Sequence, residues 1–244
     1  MRLIVYNIRY GTGTGPAFHL PVPGAGYLRS SHRVLSGITE FIRAEDPDVV
    51  GLLEVDMGSV RSGMVNQADY IAQHVGHYST YGCKYGTASL HHRLPILRKQ
   101  GNAFLAAPRV EGERFHYFPT GIKRLIIELE LADMCIFLVH LSLKYRQRQQ
   151  QLRSLHDLIM QARKPVVVAG DFNTFWGKDE LFLFMRAARL RNANSTGLMS
   201  FPARLPRAEL DFVLVSESVR VDNFRVPDVR WSDHRPLVCD LQVV

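Results

Sequence analysis

The stretch VVVAGDFNTFWG, Val166 to Gly177, decides how the rest of the chain is read. A β-branched apolar run followed by Gly is the pattern of a buried strand. It runs straight into an acid, a ring and an amide: Asp171, Phe172 and Asn173. Side chains alternate along extended chain, so Asp171 and Asn173 leave the strand end toward the same side. A plain surface turn has no use for that arrangement; a ligand does.

Other strand-like runs stop in the same way. LIVYN ends at Asn7, VVGLLE at Glu54 and CIFLVH at His140, Asp211 opens LDFVLV, and WSDHRPLV puts Asp233 and His234 just before the last run. Taken singly, each has an ordinary explanation: a solvated turn acid, a satisfied core histidine, a strand-edge stop. Their combination points further. Carboxylates and amides gathered at strand ends make a hard, oxygen-rich site suited to Mg²⁺ or Mn²⁺. The lack of cysteine ligands and of an HExxH spacing disfavours zinc. His140 and His234 add proton transfer near neutral pH. Metal, imidazoles and amide donors together match hydrolysis of a phosphate ester.

The 244 residues, 46% hydrophobic and 22% charged, suit a single domain spanning 1–244 with an ample core. Short β-branched runs predict strands at RLIVYNI, VVGLLEV, HYSTYG, TASLHH, PILRKQGNAFLA, KRLIIELEL, MCIFLVHLSL, PVVVAGD, LDFVLVSE, VRVDNFRV and PLVCDLQVV. Amphipathic spacing predicts helices over RSSHRVLSGITEFIRAE, over VNQADYIAQHVG ending at Gly76, and from Arg146 to Gln161. The alternation indicates an α+β layered domain with mixed sheets. YGTGTGPAFHLPVPGAGY, directly after the Asn7 strand, reads as a long loop of the kind that is usually functional.

Net charge is +7 and the pI about 9.5, a balance that fits polyanionic partners and equally a soluble surface with extra arginines. The run LKYRQRQQQLR carries Lys144, Arg146, Arg148 and Arg153 without an acid, so some of these arginines are expected in solvent. No apolar run approaches the roughly 20 residues that cross a bilayer, so no stable membrane insertion is expected. Cys83, Cys135 and Cys239 are odd in number and far apart. They read as reduced core thiols, which makes the cytoplasm the expected location.

The ordered set YNIRYG, LLEVD, LVHLSL, GDFNT, LDFVLVS and SDHRPL resembles the endonuclease/exonuclease/phosphatase superfamily over nearly the whole chain. The resemblance implies a four-layer αββα sandwich, with two mixed β-sheets face to face, helices outside and the site at one edge of the sheets. It implies that Glu54 is the principal metal ligand, with Asn7 and Asp233 close to the metal. His234 becomes the general base or phosphate-polarising imidazole, oriented by Asp211. Asp171 aligns or deprotonates the attacking water, Asn173 donates to a nonbridging phosphate oxygen, and His140 assists the leaving group or binds phosphate. A histidine at position 140 argues against the apurinic endonuclease branch.

Substrate hints are weaker. Arg124 begins a strand where relatives often carry a phosphate-facing arginine, and equally reads as a flanking basic residue. Arg61 reaches the same rim as Glu54 or is a solvated loop arginine, and Tyr85 lines the pocket or packs in the core. HHRLPI, with His91 and His92, departs from the family's usual Ser-Arg pair. The aromatics of RFHYFP and FWG stack on bases or pack loops. The leading expectation is a Mg²⁺-dependent phosphodiesterase acting on nucleic acid. A lipid-headgroup or inositol-type phosphohydrolase is the alternative, and a catalytically silent module holding a phosphorylated partner stands behind both.

Overall fold

The computed structural model describes residues 1–14, 30–83, 99–107, 109–121 and 123–244. In chain order the elements are β1 Arg2–Asn7, α1 His32–Glu45, β2 Val49–Asp56, α2 Gln67–Val75, β3 Tyr78–Cys83, β4 Gln100–Ala106, β5 Gly112–Tyr117, β6 Leu125–Glu130, β7 Cys135–His140, α3 Tyr145–Ile159, β8 Val166–Asp171, α4 Phe182–Ala187, β9 Leu190–Asn192, β10 Asp211–Ser216, β11 Val219–Arg225 and β12 Leu237–Val243. TASLHH, most of the long loop after Tyr10, Tyr85, His91 and His92 lie outside the described residues.

The strands form two six-stranded sheets, ordered β11-β12-β1-β2-β4-β3 and β5-β6-β7-β8-β10-β9. Both are mixed, with one parallel pair each: β1 with β2, and β7 with β8. Period-two alternation divides each strand between two cores. Leu3, Val5 and Phe104 face Ile127, Leu138 and Val213 between the sheets. Ile4 and Leu52 turn outward against Ile38 and Ile71 of α1 and α2. On the far side Val168 and Phe212 meet Leu155 of α3 and Phe184 of α4. The layering is therefore helix, sheet, sheet, helix. Among the described residues no helix is long and apolar enough to cross a membrane.

Three elements were not legible as apolar runs. The β5 strand is an edge strand whose GERFHY alternates charge with ring, so it lacks a buried run. The β5 strand pairs with β6, and Phe118 just beyond it packs in the core. The six-residue α4 and three-residue β9 are too short to show a period. The basic run behaves in two ways: Lys144, Arg146 and Arg153 are exposed, while Arg148 is fully buried and pairs with Glu180. Cys135 and Cys239 are buried, Cys83 is half-buried, and all three are free.

Register explains why the polar strand ends meet. Parallel β7 and β8 place His140 beside Asp171, and antiparallel β10 places Asp211 on the other side of Asp171. Neighbours in register share a face of the sheet. In the other sheet β1 ends at Asn7, next to where β12 begins just after His234. Gly170 makes the close approach possible. It has φ +142°, and a Cβ there would lie 1.9 Å from the Val139 carbonyl oxygen. Gly170→Ala is expected to destabilise by about 3 kcal/mol, roughly 6–12 °C in melting temperature for a chain of this size. Thermal denaturation followed by circular dichroism checks this; an unshifted midpoint would refute the steric argument.

Candidate active site

Glu54 is aimed by a defect in its strand. Leu52 pairs with Ala103 but Val55 with Gly101, so two residues of β2 oppose Asn102 alone. Such a bulge turns a side chain out of the alternation. Glu54 takes φ 53° there, and its N–H donates to Asn102 Oδ1 at 3.4 Å. Asn173 (φ 53°), Arg9 (φ 46°) and Tyr10 (φ 55°) are also left-handed. Each costs of order 1–3 kcal/mol, a strain that tends to gather at functional sites.

Asp171 is the centre of the cluster and is 1% exposed. Its Oδ2 accepts from Asn7 Nδ2 at 3.2 Å and lies 3.1 Å from His140 Nε2 and 3.9 Å from His234 Nε2. Its Oδ1 accepts the Asn173 N–H at 2.9 Å. Asn173 spends one amide hydrogen on the Leu141 carbonyl at 2.9 Å. Burial pushes Asp171 up, but His140, His234 and Lys123 outweigh it and hold the carboxyl well below its usual range.

Asp211 Oδ2 faces His234 Nδ1 at 2.7 Å and accepts from Ser200 Oγ at 2.6 Å. Burial alone disfavours the imidazolium, yet Asp211, then Asp171 and Asp233, outweigh it and lift His234 to about 10. Burial also pushes Asp211 up, against the pull of His234. Both shifts describe one proton along the same short contact. We place it on His234, because three carboxylates act on that ring. Nε2 is then left pointing toward Asp171. The Phe201 ring covers the imidazole at 4.9 Å and meets Phe175 edge-on at 6.1 Å.

His140 is the opposite case. Burial and the Lys123 ammonium, which contacts its Nε2, push its pKa down, so the ring is neutral. Lys123 Nζ also lies 3.6 Å from Glu54 Oε1. Asp233 Oδ2 sits 3.6 Å from Arg9 Nε; burial raises its pKa against the pull of His234, and Glu54's charge adds to the rise.

A hard divalent ion suits this set of donors. Asp171, Asp211 and His234 bring candidate ligand atoms within 4.8 Å of one another, but the protonated His234 ring offers no lone pair to an ion. Their lone pairs are largely engaged with each other and with Asn7, Asn173 and Ser200, although buried Asp211 Oδ1 has no hydrogen-bond partner. Glu54 and Asp233 press on each other as like charges, which a cation between them would relieve.

Eight of the predicted residues therefore converge: Asn7, Glu54, His140, Asp171, Asn173, Asp211, Asp233 and His234. Two do not. Arg124 donates Nε to the Phe118 carbonyl at 2.5 Å and ties off the β5–β6 hairpin. Arg61 is buried on Asp56 at 2.9 Å with its guanidinium over the Tyr10 ring, so it is neither solvated nor part of the cluster. Lys123, Arg9, Ser200 and Phe201 were not anticipated. Only Lys123 left a trace in sequence, as the cation beside Arg124.

The family model described as Endonuclease/Exonuclease/phosphatase family matches residues 4–234. The chain belongs to that family. Among solved structures it resembles an endonuclease/exonuclease/phosphatase from Beutenbergia cavernae, with 20% identity and TM-score 0.75 over 100% of this chain and 71% of that one. It also resembles a Bacteroides thetaiotaomicron mannosyl-6-phosphatase (13%, TM-score 0.74, 99% of both chains). The human Nocturnin catalytic domain, solved with bound sulfate, matches at 19% and TM-score 0.69 over 100% of this chain and 94% of that one. Among curated proteins none matches the sequence. Likeness at these identities confirms the αββα sandwich of the family, whose members act on phosphoester bonds.

The two histidines of this family member are expected to titrate differently. In metal-free protein His234 stays charged until about pH 10, while His140 is neutral at pH 7. The raised His234 value makes its stabilisation complete below the unfolded pKa of about 6.5 and lost as pH rises through about 10. Imidazole ¹⁵N chemical shifts across that range check both rings, and Asp211→Asn is expected to lower the His234 midpoint. A His234 midpoint near 6.5 in the unsubstituted protein would contradict the pairing.

Proposed function

We propose that this chain is a Mg²⁺-dependent phosphodiesterase that hydrolyses nucleic acid by direct attack of water. The observation that carries the reading is the buried Asp171 carboxylate shared by strand ends and facing the free edge of an Asp211-anchored His234. A phosphate oxygen beside His234 Nε2 would receive the imidazolium's hydrogen bond. Asp211 fixes the ring's orientation and keeps it charged as negative charge builds on the phosphoryl oxygens. Asp171, held ionised and weakly basic, orients the water by accepting one of its hydrogens. The second amide hydrogen of Asn173 is directed at a nonbridging oxygen. Lys123 and neutral His140 lie beside Glu54 on the leaving-group side in this reading, where the ammonium offsets charge on the departing oxygen.

Glu54, Asp233 and Asn7 are the proposed metal ligands, a hard oxygen set for Mg²⁺ or Mn²⁺. When bound, the ion would neutralise charge on the phosphoryl oxygens and the leaving group. A P–O bond forms to water and the P–O ester bond breaks, with the water's proton passing to solvent and the leaving oxygen taking one up. Net charge of +7 supports a polyanionic substrate. The three free thiols support action in the cytoplasm.

A lipid-headgroup or inositol-type phosphohydrolase is the second reading. It is favoured by the exposed apolar side chains of Trp176 (81%), Leu183 (78%) and Leu143 (60%). Binding to anionic vesicles with headgroup release, in the absence of any nicking, would select it.

Nicking of supercoiled plasmid with Mg²⁺ and with chelator tests the first reading. His234→Ala is expected to keep the fold and lower turnover about 10²–10⁴-fold; near-normal nicking by a well-folded variant would overturn its role. Glu54→Gln is expected to raise the Mg²⁺ concentration for half-maximal rate about tenfold or more while substrate binding in chelator changes less. An unchanged metal requirement would remove Glu54 from the ligand set.

A further inference from the structure

Beside the catalytic cluster lies a cavity of about 480 Å³, lined by Thr12, Thr14, Arg33, Arg204, Arg230 and Trp231. It shares a wall with the site. Arg9, 3.6 Å from Asp233, donates to the Gly13 carbonyl at 2.8 Å and so carries the 12–14 segment with it. Ala203 N–H donates to the Asp233 carbonyl at 2.7 Å, which places Arg204 next to the same residue. Trp231 packs under α1, where a Cβ on Gly37 would meet its ring at 2.3 Å, and stands two positions before Asp233.

Among the described residues the charge in this cleft is only partly neutralised. Arg33 has no ion-pair partner among the described residues. It sits in the first turn of α1, which carries no acid. A cation there opposes the helix dipole, so helix stability does not account for it. Arg204 donates to a neutral group, the Thr14 carbonyl at 3.0 Å. Arg230 has Asp228 at 2.7 Å, but Arg235 takes the same carboxylate at 2.6 Å, which leaves two guanidinium groups to one acid. Three arginines around a cleft with a Trp floor match a phosphate ester rather than a carboxylate metabolite or an apolar ligand.

The geometry points to an anion subsite in which Arg33, Arg204 and Arg230 hold a second phosphate of the substrate beside the scissile one. This rests on the phosphodiesterase reading of the Asp171–His234 cluster and deepens it: the preferred substrates carry at least two phosphates, as a nucleic-acid strand does. A single-phosphate ester would reach the cluster without engaging the cleft. A nucleic-acid strand and a small polyphosphate ester offer the same chemistry, and the two are separated by experiment.

The test pairs binding with turnover. Fluorescence anisotropy of a labelled single-stranded oligonucleotide in chelator, at several salt concentrations, compares the unsubstituted protein with Arg33→Glu, Arg230→Glu and the double variant. Arg220→Glu on β11, exposed and at the far end of its sheet from Asp233, controls for net charge. Each cleft substitution is expected to weaken binding about tenfold and to lower the log–log salt slope by about 0.7, the loss of one phosphate contact on a single strand. Arg220→Glu is expected to change the slope by less than half of that. In turnover, the cleft variants are expected to raise KM for an oligonucleotide about tenfold more than KM for bis(p-nitrophenyl) phosphate.

Equal slopes in all variants, or no binding of the oligonucleotide and of inositol hexakisphosphate by the unsubstituted protein, would overturn the subsite. Arginine-dependent binding of inositol hexakisphosphate without oligonucleotide binding would keep the subsite and assign it to a small polyphosphate ester. Arginine-dependent oligonucleotide binding with no cleavage under any metal would keep the subsite and sink the hydrolytic reading instead.

Discussion

The arrangement depends on one buried carboxylate. Asp171 is nearly inaccessible to water, which by itself would favour its neutral form. It remains ionised because Asn7 and the Asn173 N–H donate to it and because His140, His234 and Lys123 surround it. An unpaired buried carboxylate is expensive, and removal of one partner from such a network leaves the remainder uncompensated. The positions of β1, β7, β8 and β10 are therefore tied together at one end by a shared electrostatic requirement, in addition to the apolar packing between the sheets.

That requirement divides the two histidines. Both are buried, so burial acts on both in the same direction. What differs is the company: His234 faces Asp211 and two further carboxylates, whereas His140 has an ammonium on its ring nitrogen. One imidazole becomes a cation aimed at the site and the other a neutral ring beside Glu54. Identical side chains acquire separate chemical parts from their surroundings, which is how environment sets acid and base assignments generally.

Much of this was legible in the sequence for a simple reason. Strand ends are marked by a change from β-branched to polar residues, and a parallel pair brings such ends side by side. Asn7, His140, Asp171 and Asp211 follow that rule, whereas Glu54 lies inside β2 at its bulge and His234 just before β12. Arg61 and Arg124 did not, because each is tied locally, Arg61 to Asp56 and Arg124 through its Nε to the Phe118 carbonyl. Nothing in the order Lys123–Arg124 tells which cation turns inward. The hairpin closure between Phe118 and Arg124 decides it, and Lys123 is the one that reaches His140.

The sequence by itself determined most of the longer elements and the family, since those rest on local periodicity and on an ordered set of motifs. Tertiary structure decided everything that requires two distant segments to meet. The bulge that aims Glu54 needs Asn102 opposite it, Ser200 reaches Asp211 from a separate loop, and Arg9 joins Asp233 to the 12–14 segment. The arginine cleft is the clearest case. Arg33, Arg204 and Arg230 belong to a helix and two loops, and their charges add only because folding brings them to one wall. Electrostatic interaction depends on distance in space, and separation along the chain does not report it.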